Sequence, residues 1–252
     1  MSRNGPTGVD LQGKVALVTG AGSGLGAATA RAFAREGCSV ACLDINADAA
    51  ASIAREITAA DAEALPLGCD VSDADAAARA VGQVVDRLGR LDVLVNCAAV
   101  DHTLAVEEMS VAQWDQVIGV NLRGPFLFSR LAFPIMKRQG GGHIVNVAST
   151  AATRAWANAA AYHASKWGLI GFSRGLGVEG RPHGIRVTAV IPGGMRTHFF
   201  DRFIEQGIPM PDEANLQDPA VVAATIVFAV TIPPESALQE VIVTPVTETS
   251  WP

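Results

Sequence analysis

The sequence predicts a doubly wound α/β sandwich built on a mostly parallel sheet of about seven strands, and three observations lead there. Short apolar runs alternate with longer amphipathic ones, the short runs are apolar at nearly every position, and a glycine-rich turn follows the first of them. A strand covered by helices on both faces has no polar side to display, so continuous apolar runs indicate a parallel sheet joined by right-handed helical crossovers. The 252 residues, 49% hydrophobic and 17% charged, suffice for one large core, and a single domain over residues 1–252 is expected.

In chain order the expected strands are Lys14–Thr19, Ser39–Asp44, Ala64–Cys69, Leu91–Asn96, His143–Ser149, Ile185–Ile191 and Glu240–Thr244. Helical segments lie between them. Ser72 with Asp75 reads as a capping box for the helix that runs through Leu88, while Gly37 and Gly89 fall where helices close on a left-handed residue. The stretch 193–217, with Gly, Pro and several aromatics, follows the sixth strand and reads as a substrate loop, since long irregular segments in compact domains are usually functional.

Composition narrows the function. Lys and Arg number 19 against 25 Asp and Glu, a net charge of −6, so no basic face is available for a nucleic-acid backbone. The longest apolar run, Val221–Val230, is too short to span a bilayer, and Met1–Lys14 lacks the continuous apolar core of a secretory signal; a cytoplasmic protein without membrane contact is expected. Cys38, Cys42, Cys69 and Cys97 have no paired spacing and read as free thiols, mostly buried. The scattered histidines offer no ligand pair, and no metal site is expected.

The glycine turn Gly20-Ala21-Gly22-Ser23-Gly24-Leu25-Gly26 ends the first strand and opens the first helix. There, backbone amides and the helix dipole face any anion, and glycine lets a pyrophosphate approach closely. No Gly-Lys-Ser/Thr follows, which excludes a P-loop. Asp44 ends the second strand at about the ~20-residue offset where an acid bonds ribose hydroxyls in a dinucleotide site. Tyr162 is the only tyrosine, and Lys166, one of three lysines beside sixteen arginines, stands four residues later. On a helix these positions share a face. A nearby ammonium stabilises a phenolate and lowers a pKa of about 10 towards a usable acid/base.

The glycine pattern, Asp70, Asn96-Cys97-Ala98-Ala99, Asn121, Ser149, Tyr162-x-x-x-Lys166 and Pro192-Gly193, in that order along nearly the whole chain, resemble the short-chain dehydrogenase/reductase family. The resemblance implies a Rossmann-type three-layer sandwich and an NAD(H)-dependent alcohol dehydrogenase or ketone reductase, commonly a homotetramer. It also implies that Tyr162 transfers the proton, Lys166 lowers its pKa and holds the nicotinamide ribose, Ser149 orients the substrate oxygen and Asn121 supports a proton relay. Asp70 and Val71 would flank the adenine, Asn96 and Ala98 the cofactor at the fourth strand's end, and Pro192, Gly193, Met195 and Thr197 the nicotinamide.

Two departures stand out. Cys97 and Ala99 replace the family's usual Asn and Gly of the fourth-strand motif, and the chain ends on Thr244–Pro252, with Trp251, in place of a glycine-rich close. That tail suits a subunit interface. Two alternatives share the fold: a catalytically silent NAD-binding sensor or scaffold, and a reductase of carrier-bound 3-oxoacyl esters. Ser23 and Ile45 stand where NADP-using relatives carry Arg or Lys. Met195, Phe199, Phe200, Phe203, Ile208 and Met210, with Trp156, would give the small-molecule alcohol or carbonyl substrate an apolar pocket.

Overall fold

The computed structural model describes residues 8–205 and 207–248. Seven strands form one sheet, all parallel, in the order β3-β2-β1-β4-β5-β6-β7: β1 (Val15–Thr19), β2 (Ser39–Asp44), β3 (Ala64–Gly68), β4 (Val93–Asn96), β5 (Gly142–Val147), β6 (Ile185–Pro192) and β7 (Glu240–Val243). Each lies within two residues of its expected span. Strands β1, β4 and β5 are buried along nearly their full length, as apolar-throughout runs require. At the edges the rule gives way to alternation, because β3 and β7 have one face open and show every second residue.

Helices α1 (Gly24–Arg35), α2 (Ala47–Ala59), α3 (Ala74–Leu88), α4 (Val111–Ile118), α5 (Gly124–Gln139), α6 (Ala160–Gly180), α7 (Asp201–Glu205) and α8 (Pro219–Thr231) complete the layers. Two apolar clusters sandwich the sheet. One joins α1, α2 and α8 to it around Phe33; the other joins α3, α5 and α6 around Phe128, Leu94 and Met136. Full burial of one such phenylalanine contributes about 1.5–3 kcal/mol.

Helix α3 does not start as the Ser72/Asp75 box predicts. Its N-cap is Asp73, whose carboxylate accepts the amides of Asp75 and Ala76. Ser72 is already engaged: its amide and its hydroxyl both donate to Asp70 Oδ1 at 2.8 Å, a local Asx turn that moves the cap one residue on. Gly89 closes α3 at φ +80°, and Gly37 follows α1 at φ +85°. The segment after β6 holds short helical turns at His198–Phe200, Asp201–Glu205 and Glu213–Asn215. One backbone bridge, Met195 to Gln217, ties its two ends.

No helix among the described residues is long and apolar enough to cross a membrane. All four cysteines are free, with Cys38, Cys42 and Cys69 buried. Trp251, the anchor expected of the tail, lies outside the described residues, as do the rest of 249–252 and residues 1–7. The tail's described part turns back on its own chain, where Glu248 pairs with Arg154 at 3.1 Å on a cavity wall.

Candidate active site

Strand β1 pairs with β2 on one side and β4 on the other, so the connections leaving its C-terminal end diverge and open a crevice. Thr19 spans the divergence. Its Oγ1 donates to Val95 O at 3.4 Å and accepts the amides of Cys97 and Ala98 at 3.0 and 3.1 Å. The crevice widens into a cavity of about 1250 Å³, larger than the ~300–1,000 Å³ of an ordinary small-molecule pocket. That volume accommodates a dinucleotide with a substrate beside it.

The glycine turn forms one wall, and its glycines are sterically required. Gly20 has φ +69°, and a Cβ there would stand 2.9 Å from Ala98 Cα; a Cβ on Gly26 would stand 1.9 Å from Gly20 O. Ser23, the N-cap of α1, makes no side-chain capping bond, and the first turn of α1 carries no acid. The helix's first amides therefore remain for an anionic ligand. Asp44 is held in place: Oδ2 accepts the Gly22 amide and Oδ1 the Asn46 amide, both at 2.9 Å. Ile45 beside it is 75% exposed. These features fit a dinucleotide.

At the other end stand Ser149, following β5, and Tyr162 and Lys166, on α6. Ser149 Oγ accepts the Ala151 amide at 3.1 Å, which fixes its rotamer. Tyr162 and Lys166 are buried, and Lys166 Nζ lies 5.5 Å from the Tyr162 ring centre while donating to Val147 O at 2.9 Å. Burial pulls the Lys166 ammonium down to about 8, against the opposing influence of Cys97 and Asp101. For the Tyr162 phenol, burial is the largest influence and pushes its pKa above the ordinary value. A hydrogen bond with Ser149 acts the other way, the Asp101 charge reinforces the rise and Arg202 opposes it. The direction is thus opposite to the one read from the Tyr/Lys spacing, because the cost of removing a phenolate from water is the largest influence on this group.

Of the expected site residues, Gly20, Ser23, Gly24, Leu25, Gly26, Asp44, Asp70, Val71, Ala98, Ser149, Tyr162, Lys166, Pro192, Gly193, Met195 and Thr197 all line this one cavity. Three expected residues do not. Gly22 acts from behind through its amide on Asp44. Asn96 turns into the core, where Nδ2 donates to Asn146 Oδ1 at 2.8 Å and Asn146 in turn donates to Ser173 Oγ at 2.9 Å; two residues on from Leu94, it shares that residue's face of the sheet. Asn121 sits in a π-helical turn, Gly119–Arg123, with its amide on both backbone groups of Val100 at 2.8 Å and on Ser165 Oγ at 3.1 Å. Of the apolar pocket, Trp156, Met195, Phe199, Phe200, Phe203 and Ile208 are on the wall, and Met210 faces elsewhere.

Sequence reasoning missed Thr19, Asp101 and Arg202. Thr19 carried a signal, a hydroxyl at the last position of an apolar strand. Asp101 and Arg202 carried none, since a contact between residues 101 positions apart has no local pattern.

A doubly wound sheet with an anion-ready helix start and a Ser/Tyr/Lys group at the opposite end of one cavity defines a nucleotide-dependent oxidoreductase. The chain belongs to the short-chain dehydrogenase family, whose model matches residues 14–206. It is 42% identical over 182 residues to a D-threitol dehydrogenase of Mycolicibacterium smegmatis, spanning 72% of this chain and 70% of that protein. Among solved structures it is similar to a metagenomic short-chain oxidoreductase in complex with NADP, with TM-score 0.83 and 35% identity over 95% of this chain and 100% of that one. It is similar also to a 7α-hydroxysteroid dehydrogenase complexed with NADH and 7-oxo glycochenodeoxycholic acid, with TM-score 0.86 and 28% identity over 94% of both chains. Both cofactors occur among these relatives, and the choice in this chain falls to its own residues.

Proposed function

We propose that the chain is an NAD(H)-dependent oxidoreductase that interconverts a secondary alcohol and a ketone, acting in the cytoplasm as a single catalytic domain within a homotetramer. The observation that carries this reading is the placement of Ser149, Tyr162 and Lys166 on the wall of the cavity that Asp44 and the glycine turn close at its other end. A bound nicotinamide dinucleotide supplies hydride chemistry. Its pyrophosphate would be held by the turn Gly20–Gly26 and its adenosine by Asp44, Asp70 and Val71. The nicotinamide half would be held by Ala98 just beyond β4, with Pro192, Gly193, Met195, Thr197 and Lys166, while Asn96 would act only from beneath, through the network that fixes the end of β4.

In ketone reduction, the phenol of Tyr162 donates its proton to the substrate oxygen, and a pKa raised by burial keeps that proton available at neutral pH. Ser149 holds the same oxygen and stabilises the negative charge that grows on it in the transition state. The Lys166 ammonium, 5.5 Å from the Tyr162 ring centre, stands where it would stabilise the phenolate left behind. Asn121 supports the proton relay from a π turn, a local geometry frequent at functional sites. The aromatic wall suits a substrate with apolar character, and the D-threitol dehydrogenase relative is consistent with alcohol chemistry. A carrier-bound substrate would call for free basic groups at the mouth, whereas Arg154 and Arg202 are each paired with a carboxylate.

A panel of ketones and alcohols assayed with NAD(H) and NADP(H) tests the reading; binding of NADH without turnover of any member would favour a sensor. The pH profile is a second test. Lys166 is an ammonium below about 8 and neutral above it. The kcat/KM for reduction is therefore expected to be level through neutrality and to fall by about tenfold per pH unit beyond that point. A profile that rises through that range would remove Lys166 from its role.

Tetramer formation is supported by apolar groups left outside the core on adjoining helices: Phe126 on α5, packed edge-on to Phe172 of α6, and Trp167, 54% exposed on α6. Light scattering is expected to give four times the chain mass, and a monomer at micromolar concentration would contradict it.

A further inference from the structure

Inside the otherwise aromatic substrate end lies a buried ion pair. Asp101, in the connection after β4, has a side chain only 5% exposed and lines the cavity. Arg202, on α7 of the substrate loop, donates from Nη2 to Asp101 Oδ2 at 2.9 Å, from Nε to Thr103 Oγ1 at 3.1 Å and from Nη1 to Phe199 O. Its guanidinium lies 4.1 Å from the Phe199 ring centre, and that ring lies 5.6 Å from the ring of Tyr162. The pair is thus one aromatic ring away from the phenol that handles the proton.

Its hydrogen bonding is incomplete. Asp101 Oδ1 is buried with no partner among the described residues. A carboxylate oxygen shut off from water without a donor is costly, and a buried ion pair is retained at a cost unless its remaining lone pairs are satisfied. Arg202 has three of its five N–H groups engaged in the bonds named, so two donors remain beside one vacant acceptor. A hydroxyl group, which donates and accepts at once, matches that combination. A substrate carboxylate does not, because the pair is net neutral and Oδ1 would repel it; a bare alkyl ketone leaves the oxygen unsatisfied.

We propose that Asp101 and Arg202 form a subsite for a second hydroxyl group, so that the substrate is a diol or hydroxyketone with a hydroxyl next to the reacting carbon. The assignment of that reacting carbon rests on the function proposed above. Because Oδ1 is closed off from solvent, a ligand hydroxyl would reach it by displacing a neighbouring side chain.

The test compares cyclohexanol with cis-cyclohexanediol bearing vicinal hydroxyls, each titrated into the wild-type complex with NADH and followed by nicotinamide fluorescence. Neither alcohol reacts with the reduced cofactor, so the readout is affinity alone. The diol is expected to bind at least about tenfold tighter, equivalent to about 1.4 kcal/mol. The advantage is expected to vanish in Asp101→Leu/Arg202→Leu, which removes both charges together, with NADH binding as the control for folding. In the isosteric Asp101→Asn, whose one acceptor oxygen goes to Arg202, it is expected to fall below about threefold. Equal affinities in the wild type, no measurable binding of the diol, or an advantage that persists in both variants would overturn the subsite. Oxidation of both alcohols is then assayed with NAD. If neither reacts while the diol binds tighter, the proposed catalytic function falls and the subsite stands; if both react with equal affinity, the reverse holds.

Discussion

Tyr162→Phe is expected to lower kcat by about 10²- to 10⁴-fold, the usual worth of a positioned general acid or base, while NADH binding stays within a factor of about two. The two readouts separate because the change removes one hydroxyl and no packing. The ring remains 5.6 Å from Phe199 and 5.5 Å from Lys166 Nζ. The lost hydroxyl also ends the hydrogen bond with Ser149, so Ser149 alone faces the substrate oxygen in the variant. Ser149 does not replace the proton donor: the Ala151 amide on its Oγ leaves its own O–H free to hydrogen-bond the substrate oxygen, but an aliphatic hydroxyl gives up its proton far less readily than a phenol. Steady-state kinetics on a turned-over ketone, beside a fluorescence titration with NADH, checks both halves. Turnover near the wild-type rate would remove Tyr162 from its assigned role.

Asp44→Ala is expected to abolish a preference for NAD over NADP that in the wild type reaches at least about tenfold in kcat/KM. Two unit charges about 4 Å apart repel by roughly 4 kcal/mol at an effective dielectric near 20, and solvent screening reduces this. Rotation of the carboxylate away from the 2′-phosphate would reduce it further, but the structure opposes that escape. Both carboxylate oxygens are tied to backbone amides, of Gly22 and of Asn46, so turning away forfeits two hydrogen bonds. Even about 1.4 kcal/mol of residual repulsion gives the tenfold discrimination. No arginine or lysine at Ser23 or Ile45 offsets it, and Arg31 is occupied with Glu56 at 2.5 Å. The ratio of kcat/KM for the two cofactors, in wild type and variant, decides the matter: a ratio near one in the wild type, or an unchanged ratio in the variant, contradicts the assignment.

The sheet was legible because its inner strands are apolar at most positions and buried along nearly their whole length, and glycine or a short polar side chain marks most turns into the helices. The pattern blurred at β3 and β7, where alternate residues are exposed, and at the start of α3, where Asp70 takes the Ser72 amide and leaves those of Asp75 and Ala76 to Asp73. The cofactor end was legible for a related reason: the glycine turn and Asp44 belong to one contiguous strand-turn-helix-strand unit. Asn96 reads in sequence as the end of a strand beside the cofactor, yet its side chain belongs to the Asn146 and Ser173 network beneath. Direction along a strand end is set by register with β5, which pairs Asn96 with Asn146. The substrate end was the least legible, since Asp101 and Arg202 meet only when the loop after β6 folds over the connection after β4.

Thr19 bears on the entropy of ligand binding. Its single hydroxyl holds three backbone groups of β4 and of the chain just beyond it, so the floor under the nicotinamide end is ordered before any ligand arrives, and a dinucleotide loses little conformational freedom in the protein by settling there. The segment that follows β6 meets both the cofactor end, through Met195 and Thr197, and the substrate end, through Phe199 and Arg202. A ligand that fixes those side chains from one end would relieve a ligand at the other of the same entropic cost. Cofactor and substrate are thereby expected to tighten one another without any displacement of the strands that separate them.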